Sequence, residues 1–215
     1  MLATKDAILD AAEELLVGAQ SLDDVSVRRI ANKASANVSA ISYHFGSREK
    51  LIVAVVERVY KRFNAERLRL LQEAVDARAP EPAELERVIA ALIGPSIRWS
   101  LDPASDYPAF LHIATLVQNT RDPKLRGNFA GKVEHLRAFI PPLRRVAPWF
   151  SDAEIAWRIH CALGVRHNVV RDRLRAEVLL EGAYDLGDPE EVLRRTIEVI
   201  VPMFGRKQRI ANSES

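Results

Sequence analysis

Two short apolar stripes, each spaced for a helix and separated by a few small residues, set the tightest constraint on how this chain folds. The first is Val27, Ile30, Ala31 and Ala34; the second is Val38, Ile41 and Phe45, at i, i+3 and i+7. Ser26 stands where a cap is needed, because its hydroxyl oxygen can accept a hydrogen bond from an amide that the first helical turn leaves without a partner. Arg28, Arg29 and Lys33 fall off the first stripe, in water or against an anion. The second helix, about Val38 to Phe45, turns Ser39, Ala40, Ser42, Tyr43 and His44 outward. A short helix whose exposed face is small, polar and aromatic suits a DNA major groove, which admits one helix and is read by hydrogen bonds and methyl contacts.

Charge is distributed to match. The chain of 215 residues has a formal net charge of only +2 and a pI near 8.8, so the whole-chain balance carries no argument for nucleic acid. Residues 1–24 set Lys5 against Asp6, Asp10, Glu13, Glu14, Asp23 and Asp24, whereas residues 25–50 set Arg28, Arg29, Lys33, Arg48 and Lys50 against Glu49. The basic half is the helix-turn-helix half, as an electrostatic footprint on phosphate requires. With 48% hydrophobic and 28% charged residues, the chain has enough material for one small and one ordinary helical domain.

From about Thr4 to Tyr60 the sequence resembles the tetracycline-repressor (TetR) family of bacterial transcription regulators. The residues that carry the resemblance are the packing stripe Ile8, Ala11, Ala12 and Leu15, the run Ser26-Val27-Arg28-Arg29-Ile30-Ala31, and the unbroken stretch from Ala34 through Tyr43-His44-Phe45-Gly46-Ser47-Arg48 to Leu51. Three departures stand out: Ser35 where the family usually has Gly in the turn, Arg48 where it usually has Lys, and Ser42 where many members have Tyr. The resemblance implies a DNA interface made by Ser26, Arg28, Asn37, Ser39, Ala40, Ser42, Tyr43, His44 and Arg48. By the same resemblance Tyr43 and His44 contact backbone and base edges, Ser39, Ala40 and Ser42 sit nearest the bases, and Ser26, Arg28 and Arg48 hold phosphates.

Beyond residue 50 the pattern remains helical, with no alternating strand pattern and no internal repeat. A fourth helix is expected from Ser47 or Arg48 to about Ala77, with Leu51, Val55, Val59 and Phe63 inward. Breaks fall at Ala79-Pro80-Glu81-Pro82, Asp102-Pro103, Asp106-Tyr107-Pro108, Asp122-Pro123 and Pro141-Pro142; Ser151-Asp152-Ala153-Glu154 is a capping box, and Asp188-Pro189-Glu190-Glu191 opens a helix with a capper, a first-turn proline and acids. The expected fold class is all-α: a helix-turn-helix head over residues 1–62, with the motif at about 26–45, and a larger helical domain over 63–205, about nine helices in all. Residues 206–215 are expected to be a disordered tail.

The last two long helices are apolar on more than one side. Ile155, Ile159 and Ala162 on one, and Val192, Thr196, Val199 and Met203 on the other, are expected to face a second subunit in an intersubunit four-helix bundle. Pro202 should end or bend the final helix. Between head and dimer helices, Phe63, Trp99, Phe110, His112, Leu116, Asn119, Phe139, Trp157 and His160 are the candidates for a small-molecule pocket of mostly apolar walls. Enzyme motifs are missing: the chain has no Gly-rich phosphate loop, no Gly-x-Ser-x-Gly elbow, no Cys pair and no His-Glu-x-x-His helix. His160 and His167 lie about 10 Å apart on a helix, too far to share a metal ion. The lone Cys161 excludes an intramolecular disulfide and reads as a small core residue. With no cofactor, metal or membrane segment expected, the reading is a cytoplasmic homodimeric repressor that binds an inverted-repeat operator and answers to a small-molecule effector.

Overall fold

The computed structural model describes residues 5–206 apart from 103, 106, 122, 124, 126 and 128–132. Among the described residues there is no strand, and no helix is long and apolar enough to cross a membrane. The expected tail lies outside the described residues from 207 onward. Contacts divide the chain into two compact units, one of residues 1–65 with 104–133 and the other of 66–103 with 134–215.

The first unit is the head. It holds α1 (Lys5–Val17), a 3₁₀ turn (Leu22–Asp24), α2 (Val27–Lys33), α3 (Val38–Phe45), the first part of α4 (Arg48–Asp76) and α6 (Tyr107–Gln118). α1 buries Ile8, Leu9, Ala11, Ala12 and Leu16; α4 meets them with Leu51, Ile52, Val55, Val56 and Val59 at helical spacing. The core is closed by Ile113, Leu116 and Val117 of α6, a stripe at i, i+3 and i+4 that belongs to the same cluster. The division therefore differs from a boundary at 62/63, because α6 packs with the head although it follows it by some forty residues in sequence. His112 adds a polar tie: its Nε2 donates to the carbonyl oxygen of Ala19 at 2.8 Å. On the outer side Arg58 pairs with Asp10 at 2.7 Å and Glu13 at 2.5 Å, and Arg62 also reaches Glu13 at 2.5 Å.

The second unit is built around α5 (Leu85–Leu101), which buries every residue from Ala91 to Ile97. Around it lie α7 (Glu134–Arg137), α8 (Ile140–Val146), α9 (Asp152–Arg171), α10 (Arg173–Leu180) and α11 (Pro189–Ile200), ending in a 3₁₀ turn (Val201–Phe204). The caps read from sequence are present. Ser151 Oγ accepts from Glu154 N at 3.3 Å while the Glu154 carboxylate accepts from Ser151 N at 3.0 Å, and Asp188 accepts from Glu190 N at 2.9 Å. α11 ends at Ile200 and tightens into the 3₁₀ turn that contains Pro202. At Gly94 a Cβ would crowd the Arg98 guanidinium at 3.1 Å and meet the Leu193 side chain at 3.4 Å, so the missing side chain leaves room for Arg98. Arg98 of α5 then grips Glu190 of α11 with two hydrogen bonds of 2.6 and 2.9 Å.

Candidate nucleic-acid interface

Three side-chain caps and two special backbone angles fix the reading helix. Ser26 Oγ accepts from Arg29 N at 3.3 Å and starts α2. α2 ends with Ser35 at φ 50°, where Ser35 N donates to Asn32 O at 3.2 Å and Ala36 N donates to Ala31 O at 2.8 Å. That pair of bonds is a Schellman ending with a serine in the left-handed position, which usually falls to glycine because a Cβ is disfavoured there. The turn thus keeps the left-handed geometry that Ser35 put in question. Asn37 Oδ1 then accepts from Ala40 N at 2.7 Å to open α3, and accepts the Ser39 hydroxyl proton at 2.7 Å. α3 closes at Gly46, with φ 77° and ψ −44°, and Ser47 Oγ accepts from Lys50 N at 3.2 Å at the start of α4.

The exposed face of α3 carries Ser39, Ser42 and Tyr43, with His44 half-buried. Tyr43 is 87% exposed and its ring stands edge-on to His44, with centroids 5.2 Å apart. Two positions exchange their expected roles. Ala40, expected on the base-reading face, is 5% exposed and sits in the head core, while Val38, expected in the core, is 46% exposed. The cause is length: Val38 is the first residue of an eight-residue helix and overhangs the end of the core, a position a helical wheel does not register.

Arg48 also departs from its expected part. Its Nε donates to Val25 O at 2.8 Å and its Nη2 to Leu22 O, with Asp23 and Glu49 each 3.9 Å away. The guanidinium clamps the 3₁₀ turn before α2 onto the start of α4 through these two carbonyls. A signal was present in the sequence, since a planar fork can bridge two acceptors where lysine offers a point charge. Arg28 is exposed beside the cap Ser26; Arg29 donates to Asp24 O, and Lys33 is paired with Glu14 at 2.6 Å. Asp24 accepts from Ser21 N at 2.7 Å and Gln20 N at 3.0 Å, and the Ser21 amide foremost holds its carboxyl below the usual range.

The other candidate residues are divided between the two units. Phe63 and Phe110 stack in an aromatic cluster with Tyr60 and Tyr107 in the head unit, at centroid distances of 4.7 to 5.4 Å. Leu116 is core in that unit, His112 is held by Ala19, and Asn119 is exposed. In the second unit Phe139 is fully buried and Trp99 half-buried, whereas Trp157 and His160 lie exposed on α9. The second unit has a cavity elsewhere, about 430 Å³, between the C-terminal ends of α5 and α9, α10 and α11. Ile97, Leu101, Val169, Leu180, Tyr184 and Val192 make much of its wall, and sequence patterning gave no hint of it. Of the expected dimer residues, Ile155, Ile159, Ala162, Val192 and Thr196 are buried inside their own unit, because α11 packs against both α5 and α9 and so buries a wide face. Val199 remains exposed and Met203 half-exposed.

Comparison with known proteins places this geometry. Residues 8–55 match the family described as bacterial regulatory proteins, tetR family, and residues 90–202 match the tetracyclin repressor-like C-terminal domain. A curated relative, the HTH-type transcriptional repressor NicS of Pseudomonas putida, is 34% identical over 85 residues, which is 40% of this chain but only 38% of that protein's length. Among solved structures, the transcriptional regulator FadR of Bacillus subtilis in complex with stearoyl-CoA superposes with a TM-score of 0.64 at 15% identity, covering 92% of this chain and 98% of that one. The multidrug binding protein EbrR complexed with malachite green gives 0.62 at 17% identity, covering 94% and 98%. At such identities these two likenesses speak for the fold. With more than half of its length matched by one of the family's domains, and a capped, exposed reading helix inside the other, the chain belongs to the tetR family of DNA-binding bacterial transcription regulators.

Proposed function

We propose that this protein is a homodimeric repressor that binds an inverted-repeat operator and leaves it when a small apolar effector occupies the second unit. The carrying observation is the face of α3: Ser39, Ser42 and an 87%-exposed Tyr43 stand on a helix whose ends are fixed by Asn37 and Gly46. A preorganised face of this kind reads base edges, while Ser26 and Arg28 at the start of α2 take phosphates. Repression is supported by the resemblance to NicS. Effector control is supported by the complexes of FadR with stearoyl-CoA and of EbrR with malachite green, and by the 430 Å³ cavity, which lies within the range of ligand sites. Exposed apolar side chains on α9 and α11, Trp157 and Val199, support a two-fold contact between copies. α4 is one helix that contributes residues 48–65 to the head unit and 66–76 to the other, which makes it the route for coupling in this reading. Operation on operator DNA places the protein in the cytoplasm.

The test is a gel-shift titration on duplexes from the chain's own upstream region, with salt varied and apolar effectors added. Specific retention that weakens steeply between 50 and 200 mM salt, by roughly 10³-fold or more for 6 phosphate contacts, is expected. Tyr43→Ala should abolish specific retention without lowering Tm, and Val199→Glu should split the dimer. For any compound that binds, the factor by which it lowers operator affinity must equal the factor by which operator lowers its own affinity, typically about 5- to 150-fold. No duplex retained at low salt rejects the reading. Equal compound affinity with and without operator removes the effector.

A further inference from the structure

We propose that Val38 reads a thymine methyl group in each operator half-site and is a specificity-determining residue of this head; the proposal rests on α3 being the DNA-reading helix. A branched apolar side chain at 46% exposure, on the first turn of an eight-residue helix, stands outside the set of described residues that pack the head core. Its surroundings are those of the reading face. Ser42 stands one turn along on the same side, at i+4, and is exposed, while the exposed Tyr43 follows it.

The hydrogen-bonding inventory of the first turn leaves Ser39 as an acceptor alone and Val38 as the apolar group that can discriminate there. Asn37 Oδ1 is engaged by Ala40 N and by the Ser39 hydroxyl, so the proton of Ser39 is committed to the cap and not to a base. Ala40 is withdrawn into the core. What the N-terminal end of α3 offers DNA is therefore an isopropyl group beside the acceptor oxygen of Ser39. In helix-turn-helix docking the N-terminal residues of the second helix are the ones that meet base edges in the major groove. The apolar group that groove presents is the thymine C5 methyl. Valine suits the task because branching at Cβ leaves one preferred χ1 rotamer in a helix, so little rotamer freedom is lost on contact. A guanine at the same position would set two acceptors against a side chain that cannot donate, which turns the contact into discrimination rather than affinity alone.

The experiment uses the full-length protein. An operator is selected from random duplexes, and each thymine in turn is replaced in both half-sites by deoxyuridine, which removes only the methyl. At one thymine per half-site the wild-type protein should lose about 4-fold for each buried methyl, hence roughly 15-fold for the symmetric pair. The Val38→Ser variant should lose less than about 2-fold at that same thymine while keeping its deoxyuridine responses elsewhere, which a merely structural effect would not do. Val38→Thr, which keeps one methyl and the branching, should fall between the two. Equal responses in wild-type and Val38→Ser proteins, or a wild-type operator with no methyl-sensitive thymine, would overturn the proposal while leaving DNA binding intact. A wild-type protein that retains no duplex overturns the proposal together with the reading beneath it.

Discussion

The head and the second unit hold their shapes by different chemistry. Around α3 most determinants are local: a serine in the left-handed region at Ser35, a glycine at φ 77°, and caps from Ser26, Asn37 and Ser47, with the Arg48 guanidinium on two carbonyls as a longer-range addition. Around α5 they are collective, with consecutive residues from Ala91 to Ile97 buried between neighbouring helices. A surface that must be read by DNA cannot be held by burying it, so its geometry is imposed from its two ends. A core helix has no such restriction and is held from all round.

The contrast can be broken most directly in the second unit. Ile155→Ala should cost about 2 to 5 kcal/mol, since a buried Ile leaves a cavity behind, and thermal melting measures it; because Ile155 is fully buried, the dimer should persist in the folded fraction. An unchanged Tm with loss of the dimer would return Ile155 to the interface. In the head, Gly46→Ala should cost about 1 to 3 kcal/mol through backbone strain alone. The added Cβ would meet the Lys50 side chain at an ordinary 3.8 Å, so crowding is not the cause. Operator affinity should fall with stability, because the exit of α3 moves.

Acid should separate the units as well. Burial, then the charge of Arg67, pushes the His135 imidazole down to about 4 from an ordinary 6.5. The unfolded chain therefore binds the proton more readily between those values, and the contribution to stability is full above pH 6.5 and lost as pH falls towards 4. The loss should reach about 1 to 2 kcal/mol once solvent screening at a half-buried ring is allowed for. Denaturant midpoints of wild-type and His135→Gln proteins at pH 7 and pH 4.5 check this: the variant should lose less on acidification. The smallest effect is a gain. Ser35→Gly relieves the left-handed Cβ at some cost in chain entropy, for a net stabilisation of about 0.5 kcal/mol with operator affinity unchanged.

What the sequence made legible follows the same division. Caps at Ser26, Ser151 and Asp188, the limits of α4 and the tightening near Pro202 are set by residues within a turn of where they act, and they stand where expected. Faces were harder. Val38 and Ala40 changed places because a wheel records angle but not position along a short helix. Ile155, Ile159, Val192 and Thr196 turned inward because α11 lies against two helices at once, and a wide apolar face is then core on both sides. The partners that hold His112 and Arg48 within the chain, Ala19, Leu22 and Val25, are separated from them by 93, 26 and 23 residues, beyond the reach of any local pattern.

The hydrogen bond from His112 to Ala19 and the burial of Ile113, Leu116 and Val117 against α1 and α4 also govern how this molecule is made. A ribosome releases the helix-turn-helix long before it releases α6, and at about 5 to 20 residues per second the interval is several seconds. During that time the apolar floor that α6 will cover lies open. The head is therefore completed in two instalments, and a fragment cut after Ala65 would lack its floor. A functional graft of this reading head into another protein has to carry α6 with it.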